Sequence, residues 1–277
     1  MHEFEAIILD LDGTLIEDGG GIRPRVRRAL HRISDAGVHV MVATGRSEQS
    51  AAPAIEDLQI LNPMVIYNGA AVYCPSSRSL IEEKNLDLKH LDQLLHYAET
   101  TDLLPVVMCA DSKRAFSSRS EALNYSLHDM KAIEIVHPDQ MRIDRPIRLS
   151  LFSERHQDTK QFADEIIAIS DSDAYFTWFP LNLLPSHQDS SLLVVDVQPP
   201  CEGKKEALRF LQQHHGIAPE RCVAVGDATN DSPMVELAGL GVAMENAMEE
   251  LKKVADRVIG ANDTDAIADL IDELWIQ

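Results

Sequence analysis

At 277 residues the chain can hold one large or two modest domains, and its 45% apolar and 25% charged content is that of an ordinary globular protein. A formal net charge of -20 argues against nucleic acid and anionic membrane as partners, and any anionic substrate would need a site made locally positive. The apolar runs are too short for a transmembrane helix. The acidic start Met1-His2-Glu3-Phe4-Glu5 does not read as a signal peptide, and the scattered Cys74, Cys109, Cys201 and Cys222, with no CxxC pair, read as reduced thiols of a cytoplasmic protein.

The apolar run 4–9 predicts a buried strand. It ends in Asp10-Leu11-Asp12-Gly13-Thr14, two carboxylates spaced i, i+2 before a glycine. If the chain turns at Asp12-Gly13, both acids reach the mouth of one site, where one can attack and the other can move a proton. Carboxylates so close repel each other, so a cation should sit nearby. The alternative is a solvated turn after an edge strand. Residues 23–36 predict a helix, with Pro24 in its first turn, Val26, Ala29, Leu30 and Ile33 on one face, and Gly37 as its stop. A strand over 38–43 leads to Thr44-Gly45-Arg46. Thr44 offers a hydroxyl and Gly45 an open backbone to a phosphoryl group, or the three form a plain strand-to-helix turn. Arg46 either adds positive charge or pairs with an acid. Ser47 caps a helix to about residue 58, and 64–67 is another short strand.

The middle of the chain changes rhythm. Helices over 88–99, 121–130 and 159–170 mix with strands over 106–110, 133–136, 147–152 and 174–178. Polar, turn-rich junctions lie near 75–77 and 186–191, so 80–191 reads as an α+β insertion with its own sheet. Strand–helix alternation then returns: strand 192–197, helix 204–215 ended by Gly216, strand 222–225, helix 231–238, strand 241–244, helix 248–255, strand 257–259 and helix 264–275. Such alternation with continuous apolar strands predicts an α/β fold with a doubly wound parallel sheet, built from 1–79 and 192–277. Sites in such sheets lie beyond the carboxyl ends of the strands, so Asp10, Thr44 and Asp227 should meet there.

Asp10 is then the candidate nucleophile, a carboxylate that attacks phosphorus to give an aspartyl-phosphate. Asp12 is placed to protonate the leaving alkoxide and later to deprotonate water. Lys204 is a fixed cation for the phosphate and for Asp10. Asp10, Asp227 and the backbone carbonyl of Asp12 are the candidate ligands of a Mg²⁺ ion, with Asp231 behind them, bound through water, or capping a helix. Asn230 can hydrogen-bond the phosphate or orient Lys204.

Four stretches in order carry a family resemblance: Asp10-Leu11-Asp12-Gly13-Thr14-Leu15; Ala43-Thr44-Gly45-Arg46; Gly203-Lys204-Lys205-Glu206-Ala207-Leu208; and Gly226-Asp227-Ala228-Thr229-Asn230-Asp231-Ser232-Pro233-Met234. Together they resemble the motifs of the haloacid dehalogenase (HAD) superfamily. Asn68-Gly69-Ala70 and Gly241-Val242-Ala243-Met244, followed by Asn246-Ala247, look like its Cof-type group, whose C2B-type α+β cap lies between the second and third motifs. The resemblance implies a Rossmann-like core with a cap and Mg²⁺-dependent phosphoryl chemistry, and it gives Asp10, Asp12, Thr44, Lys204 and Asp227 the roles above. Asp12 matters within it, because dehalogenases and phosphonatases of the superfamily lack an aspartate there. Asn68 is either a substrate contact or a turn residue. Lys205 stands where the family pattern has glycine; helical spacing expects Lys204 to share the face of Ala207, Leu208 and Leu211 and Lys205 to point to solvent.

The resemblance leaves a leading function and two rivals. The leading one is a phosphatase for a small phosphorylated metabolite, a sugar or polyol phosphate. The second is a phosphotransferase of the phosphomannomutase kind, which should carry an arginine cluster for the distal phosphate; Arg114, Arg119, Arg142, Arg145, Arg148 and Arg155 of the insertion show no paired pattern. The third is a non-catalytic regulatory binding protein, against which the intact Asp10, Asp12, Lys204 and Asp227 argue.

Overall fold

The computed structural model describes residues 3–17, 20–128, 130, 132–170, 173–184 and 187–276. In chain order the elements are β1 (Ala6–Leu9), α1 (Pro24–Asp35), β2 (His39–Val42), α2 (Glu48–Leu58), β3 (Met64–Ile66), β4 (Ala71–Cys74) and β5 (Ser79–Glu83). Then come α3 (Leu88–Thr100), β6 (Leu104–Met108), β7 (Lys113–Ala115), α4 (Glu121–Tyr125), β8 (Ile133–Ile135), β9 (Arg148–Ser153), α5 (Thr159–Ile169), β10 (Tyr175–Pro180) and β11 (Leu193–Gln198). The last stretch holds α6 (Glu206–His215), β12 (Cys222–Gly226), α7 (Ser232–Leu237), β13 (Leu240–Met244), α8 (Glu249–Val254), β14 (Arg257–Ile259) and α9 (Ala266–Trp275). The chain forms two compact units, Met1–Glu82 with Glu202–Gln277, and Glu83–Cys201.

The first unit is the expected α/β core. Its sheet has the order β14-β13-β12-β1-β2, and every pairing in it is parallel. Parallel strands are covered on both faces, which is why β1, AIIL, is buried along its whole length. Helix α1 turns Val26, Ala29, Leu30 and Ile33 inward and packs on α9. The indole of Trp275 closes the unit, donating to the Phe4 carbonyl at 2.9 Å. Register decides where the strands stop together: Leu9 lies opposite Val42 on one side and Val225 on the other, so the loops after β1, β2 and β12 leave the sheet at one edge. A separate three-stranded sheet, β3-β4-β5, follows α2. The strand expected at 64–67 therefore belongs to an antiparallel ladder with β4, and Tyr67 lies outside it in a left-handed turn.

The second unit holds a six-stranded sheet, β10-β11-β9-β6-β7-β8, antiparallel except for β7 with β8. Alternation gives it one apolar face: Val107, Leu149, Leu151, Val195 and Val197 pack with Leu91, Leu94 and Ala98 of α3 and with Phe162, Ala163 and Ile166 of α5. The intervening positions of β9 and β11 are mixed: Phe152 and Val194 are apolar, while Arg148, Ser150, Asp196 and Gln198 are polar, and Ser150 Oγ donates to Asp196 Oδ1 at 2.5 Å.

This unit corrects two expectations. The sequence places the run 192–197 in the parallel core and the second boundary at 191/192. The strand instead lies between β9 and β10, which moves the boundary to Cys201/Glu202. An apolar run satisfies either kind of sheet, and here antiparallel neighbours supplied by the insertion capture it. The helix expected over 121–130 is only α4, Glu121–Tyr125, because Ser126 through His128 continue as separate turns. Among the described residues no helix is long and apolar enough to cross a membrane.

Candidate active site

Asp10 follows β1 directly. Its N–H donates to the Val225 carbonyl at 3.0 Å, extending the pairing with β12 past the strand end and leaving the carboxylate beside the 227–231 loop. Lys204 Nζ lies 2.6 Å from Asp10 Oδ1 and 2.6 Å from Asp231 Oδ1, and all three residues are buried. The other oxygen of Asp231 accepts from the N–H of Asp227 at 3.0 Å and of Ala228 at 2.9 Å. Asp231 therefore anchors the lysine with one oxygen and folds its own loop with the other. Gly226 permits this, since a Cβ there would lie 2.5 Å from Asp231 Cβ.

Lys204 reaches the site by a route the helical spacing did not give. Gly203–Lys205 is a 3-10 turn and α6 starts only at Glu206. The left-handed Gly203, φ +70, aims the turn. Lys205 points elsewhere and pairs with Glu202 at 3.0 Å, half-exposed.

Asp227 accepts a hydrogen bond from Thr14 Oγ1 at 3.1 Å. A Cβ on Gly13 would fall 2.3 Å from Asp227 Oδ2, and Gly13 has φ +78, so glycine is required there for both space and conformation. Oxygens of Asp10, Asp227 and Asp231 lie within 4.8 Å of one another. Asp12 stands apart from that cluster: Arg46 grips its carboxylate with two bonds, Nε to Oδ2 at 2.8 Å and Nη2 to Oδ1 at 2.5 Å. Of the two readings of Arg46, the pair with an acid is the one present.

The charges do not balance. Burial is the main cause that pushes the Asp10 pKa well above the carboxylate range; Lys204 opposes it, while Asp231, Asp227 and Asp12 reinforce it. Burial and then Asp231 push Asp227 up to about 6. Burial disfavours the charge on Lys204, but Asp10 and Asp231 outweigh it and raise its pKa above the ordinary value. One ammonium among three clustered carboxylates leaves excess negative charge that a cation would neutralise. The all-oxygen donor set suits a hard divalent ion, and Asp10 and Asp227 have the carboxylates to hold it.

Thr44 and its neighbours face the turn at Tyr67–Gly69, the turn that is one of the two readings of Asn68. Thr44 Oγ1 accepts from the Arg46 N–H at 3.1 Å, which leaves its proton free to donate. Ser47 caps α2 as expected, accepting from Ser50 N–H at 3.4 Å. Tyr67, Asn68 and Gly69 all have positive φ, at 51°, 50° and 100°. Strained backbone of this kind persists where its surroundings over-determine it. The turn is fastened by Tyr67 N–H to the Arg46 carbonyl and Asn68 N–H to the Thr44 carbonyl, both at 3.0 Å. Asn68 Oδ1 accepts from Asn230 Nδ2 at 3.1 Å, and a Cβ on Gly45 would come within 3.0 Å of that same oxygen. A Cβ on Gly69 would strike the Gly203 carbonyl at 2.3 Å. Asn68 is thus a buried turn residue that ties together the loops of Gly45 and Asn230, while its neighbour Gly69 packs against the turn of Lys204.

Known proteins resemble this chain along nearly its whole length. It is 26% identical over 271 residues to the 5-amino-6-(5-phospho-D-ribitylamino)uracil phosphatase YitU of Bacillus subtilis (strain 168), covering 97% of each chain. It is 28% identical to a chloroplastic endoribonuclease YBEY of Arabidopsis thaliana, with 97% of this chain spanning 46% of that longer protein. In structure it matches a haloacid dehalogenase-like hydrolase from Bacteroides thetaiotaomicron with a TM-score of 0.79 at 24% identity, over 98% of this chain and 100% of that one. A family model described as haloacid dehalogenase-like hydrolase matches residues 7–271, a span that takes in every one of the loops that meet at Asp10. The chain belongs to the haloacid dehalogenase-like hydrolases.

Proposed function

We propose that this hydrolase is a Mg²⁺-dependent phosphatase that cleaves the ester of a small phosphorylated metabolite, a sugar or polyol phosphate, through an aspartyl-phosphate on Asp10. The observation that carries the reading is the buried Lys204 bridging Asp10 and Asp231 at 2.6 Å each, a fixed cation beside the one acid that follows β1 directly. The relative named as a phosphatase for a phosphoribitylamino compound supports the substrate class.

In this reading an Asp10 oxygen forms a bond to phosphorus as the bond to the ester oxygen breaks. Asp12 gives its proton to the departing alkoxide, then takes one from the water that cleaves the aspartyl-phosphate. Both Asp12 oxygens are bonded by Arg46, so Arg46 orients the acid between turnovers and gives way when it carries a proton. Thr44 and Lys204 hold the phosphoryl oxygens, with Gly45 leaving room for them. Asp10, Asp227 and the Asp12 carbonyl would hold Mg²⁺, whose charge lets an anion meet an anion. Selectivity among esters is assigned to the inserted unit, and a cytoplasmic setting fits the four reduced cysteines.

Of the six arginines of the insertion, all but Arg119 are engaged by acids among the described residues, which disfavours the mutase reading. Arg114, Arg142, Arg145, Arg148 and Arg155 each pair with a carboxylate of their own unit: Glu134, Asp92, Glu83, Asp196 and Glu165. Steady-state release of phosphate from an aryl phosphate and from a panel of phosphorylated metabolites, with added Mg²⁺, tests the proposal. Asp10→Asn should remove turnover, and Asp12→Asn should slow it on the order of a hundredfold or more. Wild-type rates in Asp10→Asn, with deamidation excluded, would refute the mechanism, and isomerised sugar in place of free phosphate would favour the mutase.

A further inference from the structure

Two asparagines to which the functional reading gives no task lie in the loops just after β13 and β14. Asn246 Nδ2 donates to the Gly13 carbonyl at 2.7 Å, and Asn246 Oδ1 accepts from the Asn262 N–H at 3.0 Å. The buried Asn262 passes the link on, its Nδ2 donating to the Ile16 carbonyl at 3.0 Å. Two residues past Asn246, the Met248 N–H donates to the Asp227 carbonyl at 2.8 Å. The loop after β13 thus holds the backbone of Gly13 with a side chain and the backbone of Asp227 with a main-chain amide.

That double hold falls at the tightest approach in the site. Gly13 lies so close to Asp227 that a Cβ would sit 2.3 Å from the carboxylate. Thr14, in the same turn, bonds the other Asp227 oxygen at 3.1 Å. An amide side chain suits position 246 because it donates and accepts at once. A carboxylate of the same shape could still accept from Asn262 but would place an oxygen against the Gly13 carbonyl.

We propose that Asn246 and Asn262 are positioning residues that set the separation between the 12–16 turn and the Asp227 carboxylate, and through it the affinity of the acidic cluster for its divalent cation. The inference rests on the functional reading in that it takes the cation to be Mg²⁺. Groups that orient metal ligands from behind commonly alter metal affinity by 10- to 100-fold when removed.

The test is Mg²⁺ titration by calorimetry, with hydrogen exchange of the metal-free protein, on the wild type and on Asn246→Ala, Asn246→Asp and Asn262→Ala. Mg²⁺ affinity should fall about tenfold in each variant. Exchange should rise across residues 12–16 while β1 and β12 keep their protection. In the phosphatase assay the Mg²⁺ concentration for half-maximal rate should rise by a larger factor than kcat at saturating Mg²⁺ falls. Asn246→Asp is the sharpest arm: its added charge alone would tighten cation binding, so weaker binding identifies the lost donor. Unchanged Mg²⁺ affinity in Asn246→Ala would overturn the proposal whatever the exchange shows, as would tighter binding by Asn246→Asp. A wild type that binds Mg²⁺, with variants behaving as described, but releases no phosphate overturns the functional reading alone. A wild type that binds no Mg²⁺ overturns both.

Discussion

Lys204 and Lys205 are neighbours with opposite surroundings. One is buried between two carboxylates, the other half-exposed beside Glu202. A charge contact made in the transition state should be worth roughly 2–4 kcal/mol, by analogy with a lost oxyanion-hole donor. Lys204→Ala should therefore lower kcat by orders of magnitude, and Lys205→Ala should do little. Lys204→Ala also leaves Asp10 and Asp231 without their counter-charge, which destabilises a buried site. A thermal melt of each variant separates that effect from catalysis. The opposite ranking in steady-state kinetics would show that Lys204 is not the functional ammonium.

Elements place these side chains by where they end. Strands β1, β2 and β12 stop in register, and the turn after β1 must then pass against Asp227, which only glycine allows. Gly13→Ala meets both the positive φ and the 2.3 Å approach, so it should abolish activity even where the protein still folds. Gly216, the left-handed cap of α6 at φ +68, is the control: nothing lies within 4 Å of its would-be Cβ. Gly216→Ala should cost about 1 kcal/mol of stability, read from a denaturant titration, and leave kcat/KM at the wild-type level. Equal losses of activity in the two variants would contradict the tight packing at Gly13.

For the whole molecule, the net charge of -20 and the crowded carboxylates of the site point the same way. A cation bound by the folded chain and not by the unfolded one must stabilise it, by about 2.7 kcal/mol at a concentration of 100 times Kd. Mg²⁺ should raise the melting temperature, chelation should abolish turnover, and Mg²⁺ should restore it. Ca²⁺ should substitute poorly, since it prefers more ligands at longer distances. Full activity in excess chelator would sink the Mg²⁺ assignment. Asp227→Asn should weaken the thermal shift as well as the activity, which ties both effects to one site.

The sequence by itself determined which residues stand at strand ends. Asp10 and Asp227 follow runs such as AIIL and CVAVG, and Thr44 lies just beyond VMV of β2, apolar runs that read as buried strands. Those signals are local, so they survive without knowledge of the fold. Tertiary structure decided whatever depends on a distant partner. Strand β11, LVVDVQ, looks like a core strand until β9 and β10 claim it; Asp196 in its middle was the signal, since a buried acid needs a partner, found in Ser150 across the sheet. Asn68 in a turn and Arg46 paired with an acid were each one of two open readings between which only the fold chose, and the two-sided anchoring by Asp231 and the amide link through Asn246 and Asn262 were invisible. Each is a set of hydrogen bonds or close approaches between loops far apart in the chain, and a hydrogen bond requires a geometry that only the folded backbone supplies.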